Sequence, residues 1–113
     1  MSQALRMAAE PVRTIASGAI GAAYAGIGTS MTKPIRIFLI QNLTDVSLMF
    51  SFNGVDDHFP LPTNGYMLLD INSNKGMANE FALAKGQRLY VKQLAGAAGS
   101  GSVYLSTFYG VEI

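Results

Sequence analysis

The stretch VSLMFSF, residues 46–52, places Val, two Phe and a Leu at alternate positions, with Ser, Met and Ser between them. Successive side chains of a β-strand point to opposite faces, so this period of two predicts a strand with one buried face. Turn sequences stand on both sides of it, NLTD at 42–45 and NG at 53–54. The chain is therefore interpreted outward from a short, half-buried strand.

Similar strands are predicted on either side, because β-branched and aromatic residues are concentrated there. They cover residues 35–42, 66–71, 81–84, 88–94 and 103–109. Between the predicted strands at 46–52 and 66–71, Pro60 and Pro62 predict an edge strand or a crossover. The stretch AGAAGSGS, residues 95–102, predicts a flexible connection between the last two strands. Short strands separated by turns, without a long amphipathic helix, indicate an all-β antiparallel β-sandwich, jelly-roll-like or immunoglobulin-like.

Residues 1–32 differ in composition from residues 33–113, since residues 14–32 carry no charge and consist mainly of small residues. Glycines disfavour a long helix there, three isoleucines are too few for a membrane span, and Glu10, Pro11 and Arg13 interrupt a signal peptide. We predict an extended N-terminal arm over 1–32, with a helical turn over 2–10, and a sandwich domain over 33–113. The arm is either a disordered tail or, as we favour, a segment that docks on another subunit or exchanges strands with it.

The 113 residues suffice for one domain, half of them are apolar, and only 13% are charged, against about 25% in ordinary globular proteins. Low charge favours association, so we expect partner proteins to cover part of the surface. The basic residues are scattered and nearly balanced by acids, which gives no patch for nucleic acid. We predict a homo-oligomer with protein partners, and neither a nucleic acid nor a membrane among them.

Asp56-Asp57-His58 is the one cluster that resembles a catalytic or metal site. Adjacent carboxylates on extended backbone point to opposite sides, whereas calcium needs six to eight oxygen ligands. A solvated loop or a subunit contact is favoured, with a structural cation or acid–base chemistry as alternatives. The chain has no cysteine and one histidine, so we predict no enzyme, no metal and no cofactor. The candidate protein-contact residues are Arg6, Arg13, Ile15, Ile20, Tyr24, Ile27, Asp56, Asp57 and His58.

Several short segments follow one another in a fixed order. They include FSFNG at 50–54, an acidic loop, LPTNG at 61–65, KG at 85–86, YVK at 90–92 and VYLSTFYG at 103–110. In this order the segments resemble small virion proteins of tailed bacteriophages. Residues 15–37 also resemble the N-terminal region of these proteins, so the likeness covers most of the chain. The proteins in question are similar to jelly-roll capsid cement (decoration or staple) proteins.

The resemblance implies a cement protein that clamps neighbouring major-capsid subunits on the outer surface of the head, made in the bacterial cytoplasm. A neck, tail or fibre-base component of the virion is the first alternative. A carbohydrate-binding β-sandwich, with Tyr66, Tyr90 or Tyr104 as a stacking surface, is the second.

Overall fold

A computed structural model describes residues 5–70, 86–94 and 96–112. These residues form nine β-strands and a 3-10 helix at Ser17–Ala19, and two antiparallel sheets pack together as the predicted all-β sandwich. The strands are β1 (Leu5–Ala9), β2 (Arg13–Ala16), β3 (Ala25–Gly26), β4 (Ile37–Thr44), β5 (Leu48–Ser51), β6 (Phe59–Leu61), β7 (Tyr66–Asp70), β8 (Tyr90–Gln93) and β9 (Gly101–Glu112).

The strands pair in a nested order. Sheet A runs β1-β9-β4-β7, with β2 also paired to β9, and sheet B runs β3-β8-β5-β6. The innermost pair, β5 with β6, is close in sequence, and β4 with β7, β3 with β8 and β2 with β9 enclose it successively. The first described strands therefore pair with the last one.

The core lies between the sheets and takes one face of each strand. Along β4, Phe38 and Ile40 are fully buried, so Ile37 and Leu39 project from the outer face of sheet A. The sequence left this choice open, because residues 37–40 are apolar on both faces. The buried hydrophobic side chains are Ile15, Ile20, Ile27, Met31, Ile35, Phe38, Ile40, Leu48, Phe50, Leu61, Leu89, Val91, Val103 and Leu105.

The predicted turn at residues 42–45 begins later than expected, because Asn42 is a fully buried residue of β4. Its amide nitrogen donates to the carbonyl oxygens of Val46, Leu61 and Pro62, at 2.9, 3.0 and 3.1 Å. Its side-chain oxygen accepts from the backbone N–H and the hydroxyl of Thr44. Asn42 therefore supplies the partners that the buried backbone at this end of the sandwich requires.

The other strand predictions agree with the structure where it describes them. Residues 46–52 contain β5, and Pro60 lies in β6, which within the described part of the chain pairs with β5 alone. The helical turn expected over residues 2–10 differs, since Leu5–Ala9 is strand β1. Pairing with β9 outweighs the weak helical preference of so short a segment. The strand expected at 81–84 lies outside the described residues.

An extended N-terminal arm was predicted over residues 1–32. In this structure residues 5–32 contribute strands to both sheets. β1 and β2 form one edge of sheet A and β3 forms one edge of sheet B. The segment crosses from one sheet to the other through the 3-10 helix, and Ile15, Ile20 and Ile27 enter the core on the way. At Gly26 the lack of a side chain leaves room for the Arg88 guanidinium.

Candidate protein-contact surface

The outer face of sheet A is largely apolar. Across the central strands Leu39 lies opposite Leu68 on one side and Ser106 on the other. Leu68 is 60% exposed, which is high for a leucine in the middle of a strand. We call this surface the apolar face; its large apolar side chains are Ile37, Leu39, Leu43, Tyr66, Leu68, Tyr104 and Phe108.

Two tyrosines flank an amide on the same face. Gln41 of β4 pairs with Tyr66 on one side and Tyr104 on the other, so the three side chains form a row across three strands. Tyr66 is 69% exposed and Tyr104 37%. Among the described residues that form these rows, Asp70 at the end of β7 is the single charged one.

The outer face of sheet B has the opposite character. The nitrogen of Lys92 lies 4.7 Å from the ring centre of Tyr24, and the guanidinium of Arg88 lies 5.9 Å from that of Tyr90. Both cations lie within the about 6 Å at which a cation is attracted to the face of an aromatic ring. The Tyr90 ring also covers Gly54, where an added Cβ would lie 3.2 Å from it. The two outer faces of the sandwich therefore differ sharply in charge.

Two of the predicted contact residues, Tyr24 and Asp57, meet on the sheet B side. The Tyr24 hydroxyl donates to Asp57 at 2.6 Å, and the Lys92 nitrogen lies 3.0 Å from the same carboxylate oxygen. These two bonds, first that from Tyr24, lower the pKa of Asp57. Desolvation, the bond to Asp57 and the nearby acidic charges raise the pKa of Tyr24 to about 12. A cavity of about 510 Å³ opens beside Asp57 and Lys92.

The other two loop residues point elsewhere. Asp56 accepts a hydrogen bond from the side-chain amide of Asn53 at 2.9 Å, and Nδ1 of His58 accepts one from the backbone N–H of Phe52 at 2.9 Å. Asp56, Asp57 and His58 thus diverge toward three separate partners. Within the described residues no three His, Cys, Asp or Glu side chains come together as a metal site would require.

Arg13 is 6% exposed and belongs to a buried polar clasp, not to the surface. One guanidinium nitrogen lies 2.8 Å from Glu10 and donates to Thr107, while the two other nitrogens donate to the carbonyl oxygens of Thr29 and Ser30. The polar clasp is formed by Glu10, Arg13, Thr29, Ser30, Thr32 and Thr107.

The Glu10 carboxylate is nearly saturated with donors. Besides Arg13 it accepts from the Thr107 hydroxyl at 2.9 Å, from the Thr32 backbone N–H at 2.8 Å and from the Thr32 hydroxyl. Burial by itself raises the pKa of Glu10, but the bonds from Thr32, Arg13 and Thr107 outweigh it and lower the pKa from 4.5 to about 2. Glu10 is therefore a buried anion held by its partners.

Three more predicted contact residues are core residues in this structure, since Ile15, Ile20 and Ile27 are all buried. Together with Arg13 they hold the N-terminal segment against its own sandwich, which leaves them no exposed surface to offer. Arg6 pairs with Val111 in the β1–β9 ladder, and its side chain lies outside the described part of the structure. The apolar face was missed, although residues 66–71 carried its signal: apolar side chains on both faces of one strand.

The described residues contain no helix that is long and apolar enough to cross a membrane. Comparison with known proteins finds no matching family model, no related curated protein and no similar solved structure.

Proposed function

We propose that the chain is a structural component of a bacteriophage virion, a capsid cement protein that binds major-capsid subunits through the apolar face. The observation that carries this proposal is the asymmetry of the sandwich. Leu68, Leu43 and Tyr66 are exposed on a face where the described side chains include no Lys or Arg, whereas Arg88 and Lys92 occupy the opposite face. An apolar face on one side favours binding by that side, with the charged side toward solvent.

The size of the apolar face suits a protein partner. The three strands that carry the apolar face lie about 4.8 Å apart and average about eight residues at about 3.3 Å per residue, so they cover about 380 Å² in plan. This is about half of the about 800 Å² that each partner buries in a specific interface, and it lies within the about 300–600 Å² of large apolar patches that are often functional. Covering it removes exposed leucine and tyrosine from water, at about 25 cal/mol per Å² of apolar surface.

The strand order is a second, weaker support. We infer that the nested pairing of β2 with β9, β3 with β8, β4 with β7 and β5 with β6 is that of a jelly roll. Viral capsid proteins and lectins share this architecture, so the strand order supports the proposal by analogy of fold. The resemblance of the sequence to phage cement proteins favours the capsid over the lectin.

The test is cosedimentation of the purified protein with empty heads of the phage that encodes it, quantified as copies per head. The decisive variant is Leu68→Lys, and Val55→Lys is its matched control. Val55 is 78% exposed in the loop between β5 and β6, which belongs to sheet B. Both variants place the same charge at an exposed aliphatic position, so both should fold.

We expect the wild type and Val55→Lys to saturate heads at the hundreds of copies that the resemblance implies. Leu68→Lys should bind at least tenfold more weakly, because a buried unpaired charge is costly. Equal binding by the two variants would contradict docking through the apolar face. Saturation at about a dozen copies, as the resemblance implies for a neck or tail, would instead place the protein there, and absence of binding would refute the virion assignment.

A carbohydrate-binding function is the second candidate, because Tyr66 and Tyr104 flank Gln41 in one exposed row. Aromatic rings at this spacing offer stacking surfaces on either side of an amide that can hydrogen-bond a sugar hydroxyl. Tyr90, the third tyrosine considered for this role, lies on the other sheet against Gly54. Calorimetric titration with soluble oligosaccharides separates the two functions: sugar binding that Tyr104→Ala abolishes would favour the lectin.

A further inference from the structure

We propose that residues 5–32 are an exchangeable unit, which a second copy of this chain can supply in place of the copy's own segment. All three strands of the unit, β1, β2 and β3, lie at sheet edges. Removing them breaks no pairing among the remaining strands, which stay connected as β9-β4-β7 and β8-β5-β6. We call the described residues from Ile35 onward the body; the strands of the body pair with one another without the unit.

Among the described residues, the backbone hydrogen bonds that leave the unit all reach the late part of the chain. Strands β1 and β2 pair with β9, and β3 pairs with β8. Further backbone bonds run from Ile27 N–H to the Leu89 carbonyl and from Met31 N–H to the Gln87 carbonyl, both 2.8 Å. A surface of the body formed by β8, β9 and the residues before β8 therefore receives the backbone of the unit, and the Tyr24 side chain adds a hydrogen bond to Asp57 in the loop between β5 and β6.

Most bonds of the polar clasp join residues of the unit to one another. Of the six residues of the polar clasp, Thr107 alone belongs to the body. Arg13 and Glu10 make their remaining clasp bonds with Thr29, Ser30 and Thr32, which all lie inside the unit. During exchange the clasp bonds inside the unit would stay intact. Of the clasp, only the bonds to Thr107 would be replaced by bonds to Thr107 of the other copy.

The surface of the body that receives the unit is unstable when it is exposed to water. The unit contributes Ile15, Ile20, Ile27 and Met31 to the core, and their loss would expose the apolar residues beneath them. The occupant must therefore be this unit, from the same chain or from a neighbour. Since both sources make identical contacts, exchange is an inexpensive route to association.

The link between unit and body is short. Lys33 and Pro34 are exposed and stand between buried Met31 and Ile35. Proline fixes φ and lacks the N–H, so this link is stiffer than an ordinary loop, and short hinge loops favour exchange. A tethered unit has an effective concentration in the millimolar range; exchange is therefore expected at about 1 mM protein, or where an assembly holds copies side by side.

The experiment uses the absence of natural cysteines. Ser102 of β9 pairs with Ala16 of β2 on one side and with Leu43 of β4 on the other. Antiparallel neighbours about 4.5–5.5 Å apart at Cα suit a disulfide. A chain with Ala16→Cys and a differently tagged chain with Ser102→Cys are refolded together at about 1 mM and oxidised, so that a disulfide between these two positions must join two chains.

We expect a covalent heterodimer, severalfold above that from the matched mixture of Leu43→Cys and Ser102→Cys, whose partners meet only inside one body. The double variant Ala16→Cys/Ser102→Cys at low concentration should give an internal disulfide, which verifies the geometry. If that disulfide forms while the two mixtures yield equal heterodimer, exchange is refuted. The inference does not rest on the virion proposal, because exchange is measured without phage heads.

Discussion

Replacing Glu10 with Gln tests the polar clasp with the smallest change in shape. The Glu10 side chain is 3% exposed and the Arg13 side chain 6%, so water cannot replace a lost partner. The amide removes the negative charge and turns an NH2 group toward the donors of Thr32, Arg13 or Thr107. The guanidinium of Arg13 then remains buried beside a neutral group.

The expected loss is about 3–5 kcal/mol, the usual cost of breaking a buried ion pair by removing one partner. This is a large part of the about 5–15 kcal/mol by which a domain is stable. With a urea slope of about 2 kcal/mol per M, the unfolding midpoint should fall by about 2 M. Urea unfolding followed by circular dichroism measures this shift directly.

Asp45→Asn is the matched control, because Asp45 is an exposed carboxylate that accepts backbone N–H bonds from Gly99 and Ser100. Its midpoint should change much less. The pair Glu10→Leu/Arg13→Met removes both charges together and should cost less than Glu10→Gln alone, as an apolar replacement of a buried ion pair often does. A loss below about 1 kcal/mol in Glu10→Gln would refute the buried clasp.

The Glu10 carboxylate also predicts that the stability of the protein depends on pH. Its pKa falls on folding from 4.5 to about 2, so its contribution is fully present above about pH 4.5 and is lost as the pH falls toward 2. The contribution amounts to about 3 kcal/mol. Stability of the wild type should therefore fall more steeply between pH 4.5 and 2 than that of Glu10→Gln; parallel curves would exclude the lowered pKa.

Two further substitutions test the carboxyl-terminal end of strand β4, where it pairs with the start of β9. Gly101→Ala should cost at least about 2 kcal/mol, because φ is +87° and an added Cβ would lie 2.0 Å from the Leu43 carbonyl oxygen; Gly96→Ala, which meets no atom within 4 Å, should be nearly neutral in the same thermal melt. Asn42→Leu should cost about 2–4 kcal/mol, because several buried backbone groups lose their partner, whereas Gln41→Leu on the outer face should leave the urea midpoint almost unchanged.

Much of the sheet framework follows from local sequence. The alternation in 46–52 suffices for β5, since one face is plainly more apolar than the other, and Pro60 marks an edge because it cannot donate to a ladder. The alternation fails in β4, where Phe38 and Leu39 are both large and apolar. Which of them faces the core depends on the strands that pack beneath, and these are remote in sequence.

The packing of the N-terminal segment into the core could not be predicted, for a related reason. Ile15, Ile20 and Ile27 follow neither a strand nor a helix period, because the chain moves from sheet A to sheet B between them. Their burial depends on β8 and β9, at the other end of the chain. The polar clasp could not be predicted either, because Glu10 and Arg13 both bond to Thr107, which is remote in sequence.

The nested order of the strands also sets the sequence of events at the ribosome. Synthesis at about 5–20 residues per second releases residues 5–32 several seconds before β8 and β9 exist. Residues 5–32 are thus made well before their partners, and the sandwich cannot close until β9 has left the ribosome. The local β5–β6 hairpin is the element that can form earliest, and the many pairings between distant residues predict slow folding for so small a protein.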